Sequence, residues 1–146
     1  MAELLTEQMR TTTMAAARTM FPHEALPDEA YAKVVRQLEA DAHGDETILP
    51  TIEAGIAALD EGGPFAERGE DERLAALTDA QDTPFFKLLH ATAVVELYDN
   101  PLVWKAFGYE GPSVHHGGFL HNFDDLDWLP DPPQVSPVLA KERGLA

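Results

Sequence analysis

The chain contains no cysteine, which excludes a disulfide framework, a thiolate nucleophile, a cysteine-held iron–sulfur cluster and covalent c-type haem attachment. The compartment stays open, because a helical domain of this size does without disulfides in reducing and oxidising surroundings alike. Basic residues are also scarce. Only 10 Lys and Arg stand against 26 Asp and Glu in 146 residues, a formal net charge of -16. Such a field repels phosphates and anionic lipids, so nucleic acid and anionic membrane surfaces are poor partners. The excess acid reads either as a solvated helical surface that keeps the protein soluble or as a means of steering toward a basic patch on a partner. No apolar run approaches the ~20 residues of a membrane span. The opening MAELLTEQMRTTTMAAARTMF has neither a twin-arginine pair nor a charged segment followed by a long apolar one, so it does not read as an export signal. A cytoplasmic location is expected, or a periplasmic one if the chain has been trimmed. Strand-period runs are missing too, and with them any dinucleotide-binding fingerprint following a strand.

Helical periodicity is what the chain does have. Leu4, Leu5, Met9, Met14, Ala17 and Met20 recur at roughly helical spacing until Phe21-Pro22, which predicts a first helix from Glu3 to Met20. Pro27-Asp28-Glu29 places a proline and two acids where a helix begins, and Tyr31, Val34, Val35 and Leu38 follow at i, i+3, i+4 and i+7, predicting a helix over about 28–42. A third is expected at about 46–60, carrying Ile48, Leu49, Ile52, Ile56 and Leu59, with Pro50 confined to its first turn. The charged stretch 70–80 has a narrow stripe of Leu74 and Leu77 and reads as a helix with a wet outer face. Thr83-Pro84 caps and starts the most apolar segment, ending at Asp99-Asn100, so this is expected to be the central buried helix. Asn100-Pro101 restarts the pattern, and Leu102, Val103, Trp104 and Phe107 form a brief last helix stopped by Gly108. The expected fold class is therefore all-α: a compact bundle of five or six helices over 1–107, followed by a long irregular arm over 108–146.

The arm breaks the pattern. From Gly108 to Pro133 the sequence GYEGPSVHHGGFLHNFDDLDWLPDPP carries the aromatic content of a core without a helical or strand period, and only a short helix at 136–143 follows it. An irregular segment longer than ~15 residues is usually functional or disordered, and the aromatics argue against plain disorder. Apolar side chains on such a backbone have to lie against something already folded, either the chain's own helices or another protein. Interface anchors are typically aromatic, with polar groups around them. The residues expected to contact a partner are Trp104, Tyr109, Pro112, His115, His116, Phe119, Leu120, His121, Phe123, Asp125, Trp128 and Leu129.

Catalytic readings are weaker. His115, His116 and His121 with Asp124, Asp125 and Asp127 offer ligand types for zinc or a non-haem metal within one loop, but adjacent histidines point apart and the spacing matches no established ligand motif. A small stand-alone metal-dependent enzyme built on these residues is one alternative, and a general acidic helical adaptor is another. His90 and Glu96 lie about 240° apart around a helix axis, so His90 reads as a core histidine bonded to a carbonyl. His23 and His43 fall at helix junctions, as capping or surface groups. Ser113 and Ser136 lack a nucleophile-elbow context, and Gly117-Gly118 is too short to cradle phosphate.

Three blocks, MFPHEALPDEAYAKVV (20–35), TPFFKLLHATAVVELYDNPLVWKAFGYEGPS (83–113) and GGFLHNFDDLDWLPDPP (117–133), together resemble the gluconate 2-dehydrogenase subunit 3 family. These are the small or gamma subunits of FAD-dependent sugar and alcohol dehydrogenases. The resemblance spans nearly the whole chain. It rests on the order of the blocks and on the run from Asn100-Pro101 through Trp104, Gly108-Tyr109 and Gly111-Pro112 into Asp124–Pro130. It implies a small helical protein without catalytic residues, metal or cofactor of its own. Such a protein is bound to a large flavoprotein of the glucose–methanol–choline (GMC) type that holds FAD and oxidises a sugar, glycoside or similar alcohol. The small subunit serves the folding, stability or export of that partner, and some relatives also work with a cytochrome c subunit. Many family members carry a twin-arginine export signal that has no counterpart before Phe21. The resemblance further implies that residues 108–133 lie along the flavoprotein, in an interface above the ~1,600 Å² standard size. If any side chain reaches the partner's substrate cleft, His115, His116 and His121 are the first candidates.

Overall fold

A proline or a short polar side chain opens most of the helices, as the sequence requires. In the computed structural model, which describes residues 3–112, six α-helices and one 3₁₀ turn follow one another: α1 (Glu7–Met20), α2 (Asp28–Gly44), α3 (Ile48–Leu59), the 3₁₀ turn Phe65–Glu67, α4 (Glu70–Asp79), α5 (Pro84–Tyr98) and α6 (Pro101–Phe107). The described residues contain no strand, so the all-α expectation holds. Everything from Ser113 onward, including most of the expected arm, lies outside the described residues.

The caps are those the side chains allow. Thr83 accepts from the Phe86 N–H and Pro84 fills the first position of α5, while Asn100 accepts from the Leu102 N–H ahead of Pro101. Gly108 closes α6 at φ 72°, a left-handed conformation that a Cβ disfavours. Two starts differ from expectation. The first helix begins at Glu7, not Glu3, because Thr6 takes the cap by accepting from the Met9 N–H at 3.3 Å. Residues 4 and 5 are instead held by Glu39 on α2, whose carboxylate accepts both their N–H groups at 2.7 and 3.2 Å and pairs with Arg10. Ahead of α3, the Asp45 carboxylate accepts from the N–H and the hydroxyl of Thr47, and these bonds hold its pKa below the ordinary value.

One apolar core joins all the helices. α2 supplies Tyr31, Val34 and Leu38, α3 supplies Ile52 and Ile56, α5 supplies Phe85, Leu89, Ala93 and Leu97, and α6 adds Val103. Burying each of the larger side chains stabilises by roughly 2 kcal/mol. α5 packs most extensively on α2 and also meets α3 and α1. α1 contributes small residues to the core, Thr12, Thr13, Ala16 and Ala17, while the methionines that mark its helical period stay only partly buried. That lets α1 lie close to α2, α4 and the 3₁₀ turn. Close approach also governs α3 against α5. A Cβ on Gly55 would fall 2.1 Å from Phe85 Cγ, so only glycine admits the phenyl ring there.

Three junctions are tied by polar groups. Asp60, capping α3, accepts from the Phe65 N–H at 2.9 Å, from the buried Thr12 hydroxyl at 3.3 Å and from Gln8 at 3.2 Å. It thus joins α1, α3 and the 3₁₀ turn. Tyr31 donates its hydroxyl to the Phe21 carbonyl and accepts from the His23 N–H, locking the α1–α2 loop. Its burial pushes the phenol pKa up. Lys33 on α2 pairs with Glu96 on α5 at 2.9 Å.

Two expectations fail. Leu77 is the only buried residue of α4, and Leu74, 55% exposed, does not join it in a stripe; Ala76 and Ala80 pack partly against the core instead. α5 is central on one side only. Its core face reads Phe85, Leu89, Ala93 and Leu97, at strict four-residue spacing, and the opposite side is open.

Candidate functional site: an aromatic face on α5 and α6

Seven large hydrophobic side chains are exposed among the described residues, and six of them, Val94, Val95, Tyr98, Leu102, Phe107 and Tyr109, fall within sixteen consecutive positions, 94–109. They are 38% to 57% exposed. The cause lies in α5. Between Lys87 and Glu96 its sequence has no charged residue other than His90, so the side that does not enter the core is still apolar. α6 is too short to cover it and contributes only Val103 to the core.

Six rings make a continuous ribbon beside this face. Phe86 stacks on His90 with centroids 6.2 Å apart, His90 meets Phe21 at 5.6 Å, and Phe21 meets Tyr98 edge-on at 6.2 Å. Tyr98 then meets His23 at 6.1 Å, and His23 meets Phe107 at 5.1 Å, both edge to face. These separations and tilts are the favoured ones for aromatic pairs. The His23 Nε2 is 2.9 Å from the Tyr98 hydroxyl, fixing both rings. Tyr98 also anchors a second pair. Its carbonyl accepts the Trp104 indole N–H at 2.6 Å, and Trp104 meets Tyr109 edge-on at 5.5 Å. Gly111, at φ 95°, lies beside the indole, where a Cβ would be in ordinary contact at 3.4 Å.

Of the residues expected to contact a partner, Trp104, Tyr109 and Pro112 lie among the described residues. Trp104 is half-buried, whereas Tyr109 and Pro112 are exposed. His115, His116, Phe119, Leu120, His121, Phe123, Asp125, Trp128 and Leu129 lie outside them, as does the loop considered for metal. Among the described residues no group of three or more His, Cys, Asp or Glu side chains is placed to hold a metal ion, and no helix is long and apolar enough to cross a membrane.

His90 is not the core histidine expected from the sequence. Its ring is exposed and lies between Phe86 and Phe21, because the core face of α5 passes through Leu89 and Ala93. Glu96 pairs with Lys33 on α2 instead. His43 is exposed in the last turn of α2.

Phe21, His23, Phe86, Val94, Val95, Tyr98, Leu102 and Phe107 were not foreseen as site residues. The only signal was the all-round apolar character of 84–98, which marks a helix with more than one face to bury. No family model, no curated protein and no solved structure matches the chain.

Proposed function

We propose that this chain is a non-catalytic docking subunit whose α5–α6 face binds and stabilises a larger protein. The observation that carries the reading is the concentration of six exposed large hydrophobic side chains in 94–109. Exposed apolar side chains concentrated in this way mark an interaction site, and Tyr, Trp and Phe are the side chains that anchor interfaces. All but Tyr109 of these six residues come from helices held by the core, so little ordering is left to be done on binding. The segment 113–133 adds Phe119, Phe123 and Trp128 to the same role.

The identity of the partner rests on the sequence resemblance. It is a large FAD-dependent oxidoreductase of the GMC type, acting on a sugar, glycoside or similar alcohol. FAD and the hydride transfer belong to that partner, and this chain supplies contacts. Purification of the tagged full chain from its native host, followed by a visible spectrum, tests both levels. Flavin absorbance from a larger co-eluting protein supports the full reading. A non-flavin partner retained in high salt keeps the docking role and removes the flavoprotein. Recovery of the chain alone, at low and high salt, removes the docking role.

A further inference from the structure

One exposed large hydrophobic side chain among the described residues lies outside 94–109: Leu74, on α4. It lines a pocket of about 220 Å³ formed where the end of α1, α4 with the loop after it, and the first turns of α5 meet. The buried Leu77 and the half-buried Met20 and Phe86 lie deeper, whereas Leu74, Gln81 and His90 are exposed at the rim. Phe86 and His90 are also the two rings at one end of the aromatic ribbon. The ribbon therefore leads from Phe107 on α6 to this pocket, and it links Leu74 to the six exposed side chains of the face.

Size and polarity define what fits. Small-molecule sites typically enclose about 300–1,000 Å³, so this pocket has room for a single side chain. In a chain of formal net charge -16, its lining contains no Asp, Glu, Lys or Arg, and a charged group placed there would lose water without gaining an opposite charge. The hydroxyls of Thr19 and Thr78, which complete the lining, already donate to the carbonyls of Ala15 and Leu74. The Gln81 amide and the His90 imidazole are left at the rim to meet a polar group. Phe86 and His90 lie 13° from parallel, and their ring surfaces favour another ring over an aliphatic chain.

Building on the docking role, we infer that the pocket receives one uncharged aromatic side chain of the same partner, a tyrosine or a tryptophan. Its ring lies against Phe86 and His90, and its O–H or N–H is met by Gln81 or His90. Aromatic anchors seated in pockets, with flatter contacts around them, are where the binding energy of an interface concentrates. The docking surface thus reaches α4, whose Leu74 shields the seated ring.

The test has two arms. In the first, the His90 ring resonances of the full chain are followed by NMR during titration with N-acetyl-tyrosinamide, N-acetyl-tryptophanamide or N-acetyl-leucinamide. Saturable shifts are expected with the two aromatic amides, with several-fold weaker binding of the leucine amide. Leu74→Ser and Gln81→Ala should each weaken aromatic binding while circular dichroism stays unchanged. In the second arm, the tagged Leu74→Ser chain is purified from its native host and should retain several-fold less partner than the parent chain. Shifts that fail to saturate, leucine amide binding as tightly as the aromatic amides, or undiminished binding in both variants overturns the pocket. Aromatic binding together with full retention of the partner by Leu74→Ser reassigns the pocket to a free aromatic compound and overturns the anchor. The docking role is judged separately by Val95→Ser with Phe107→Ser, which leaves the pocket lining intact: a partner lost there but kept by Leu74→Ser removes the anchor alone. Recovery of the parent chain without a partner removes both.

Discussion

The Trp104 indole N–H reaches the main-chain carbonyl of Tyr98 at 2.6 Å, fastening α6 across the last turn of α5. The same Tyr98 holds His23 through its hydroxyl. One residue therefore positions a ring from the α1–α2 loop and a ring from α6 on a common face.

Trp104→Phe keeps an aromatic ring beside Tyr109 and removes only the donor. The expected loss is about 1 kcal/mol, concentrated in α6. Amide hydrogen exchange over residues 101–108 should quicken about five-fold, with smaller changes in α2 and α3. Uniform quickening in every helix would show that the bond does not act locally.

Substituting Val95→Ser together with Phe107→Ser removes two exposed side chains of the face, each about half exposed, and surface changes of this type alter stability little. The urea midpoint should stay near that of the parent chain while the proposed flavoprotein partner no longer co-purifies. Retention of the flavin signal would count against the face as the docking surface.

Gly55→Ala drives a methyl group into the Phe85 ring. Alanine favours a helix over glycine by about 1 kcal/mol, but overpacking costs about 1–3 kcal/mol. Net destabilisation in urea is expected, with recovery when Phe85 is shortened to leucine in the same chain. A more stable Gly55→Ala would mean that α3 and α5 can separate without loss.

Asp60→Ala strips acceptors from the Phe65 N–H and the Thr12 hydroxyl, both in buried residues. Leaving them unmet costs about 1–3 kcal/mol. Asp60→Asn retains one side-chain oxygen for the Phe65 N–H and should lose less. Chemical denaturation orders the three chains, and equal losses for Ala and Asn would contradict the bonding described.

Tyr31 titrates above its ordinary value because burial disfavours the phenolate. The folded state therefore keeps its proton in a range where the unfolded state has lost it, and stability falls as pH rises there. This contribution is fully present below about pH 10 and declines above it, through the raised folded pKa. Tyr31→Phe should flatten that alkaline decline while lowering stability at neutral pH, because the Phe21 carbonyl loses one of its two donors and keeps only the His23 N–H. An unchanged alkaline slope in Tyr31→Phe would assign the decline to other groups.

The helix boundaries were legible where a side chain dictates backbone conformation. Thr83-Pro84, Asn100-Pro101 and Gly108 each have one favoured role, and each is found in it. Burial was harder to read. The apolar residues of α5 surround its axis, so periodicity cannot choose between a helix buried on all sides and one with an open face. His90 was misplaced for this reason. Phe65 carries no periodic signal because a single 3₁₀ turn has no period, yet it is fully buried, with its N–H bonded to Asp60. Of the face, only Trp104 and Tyr109 are legible in the sequence. Its other members come from the α1–α2 loop, α5 and α6, which only the tertiary fold brings together.

The chain holds two tryptophans, and Trp104 is wedged among the Tyr98 carbonyl, the Tyr109 ring and Gly111. With Trp128 replaced by phenylalanine, all remaining indole emission arises at the rim of the aromatic ribbon. Its wavelength then becomes a native gauge of water at that rim, moving to the blue when the rim is covered and to the red when it is bared, with no dye attached.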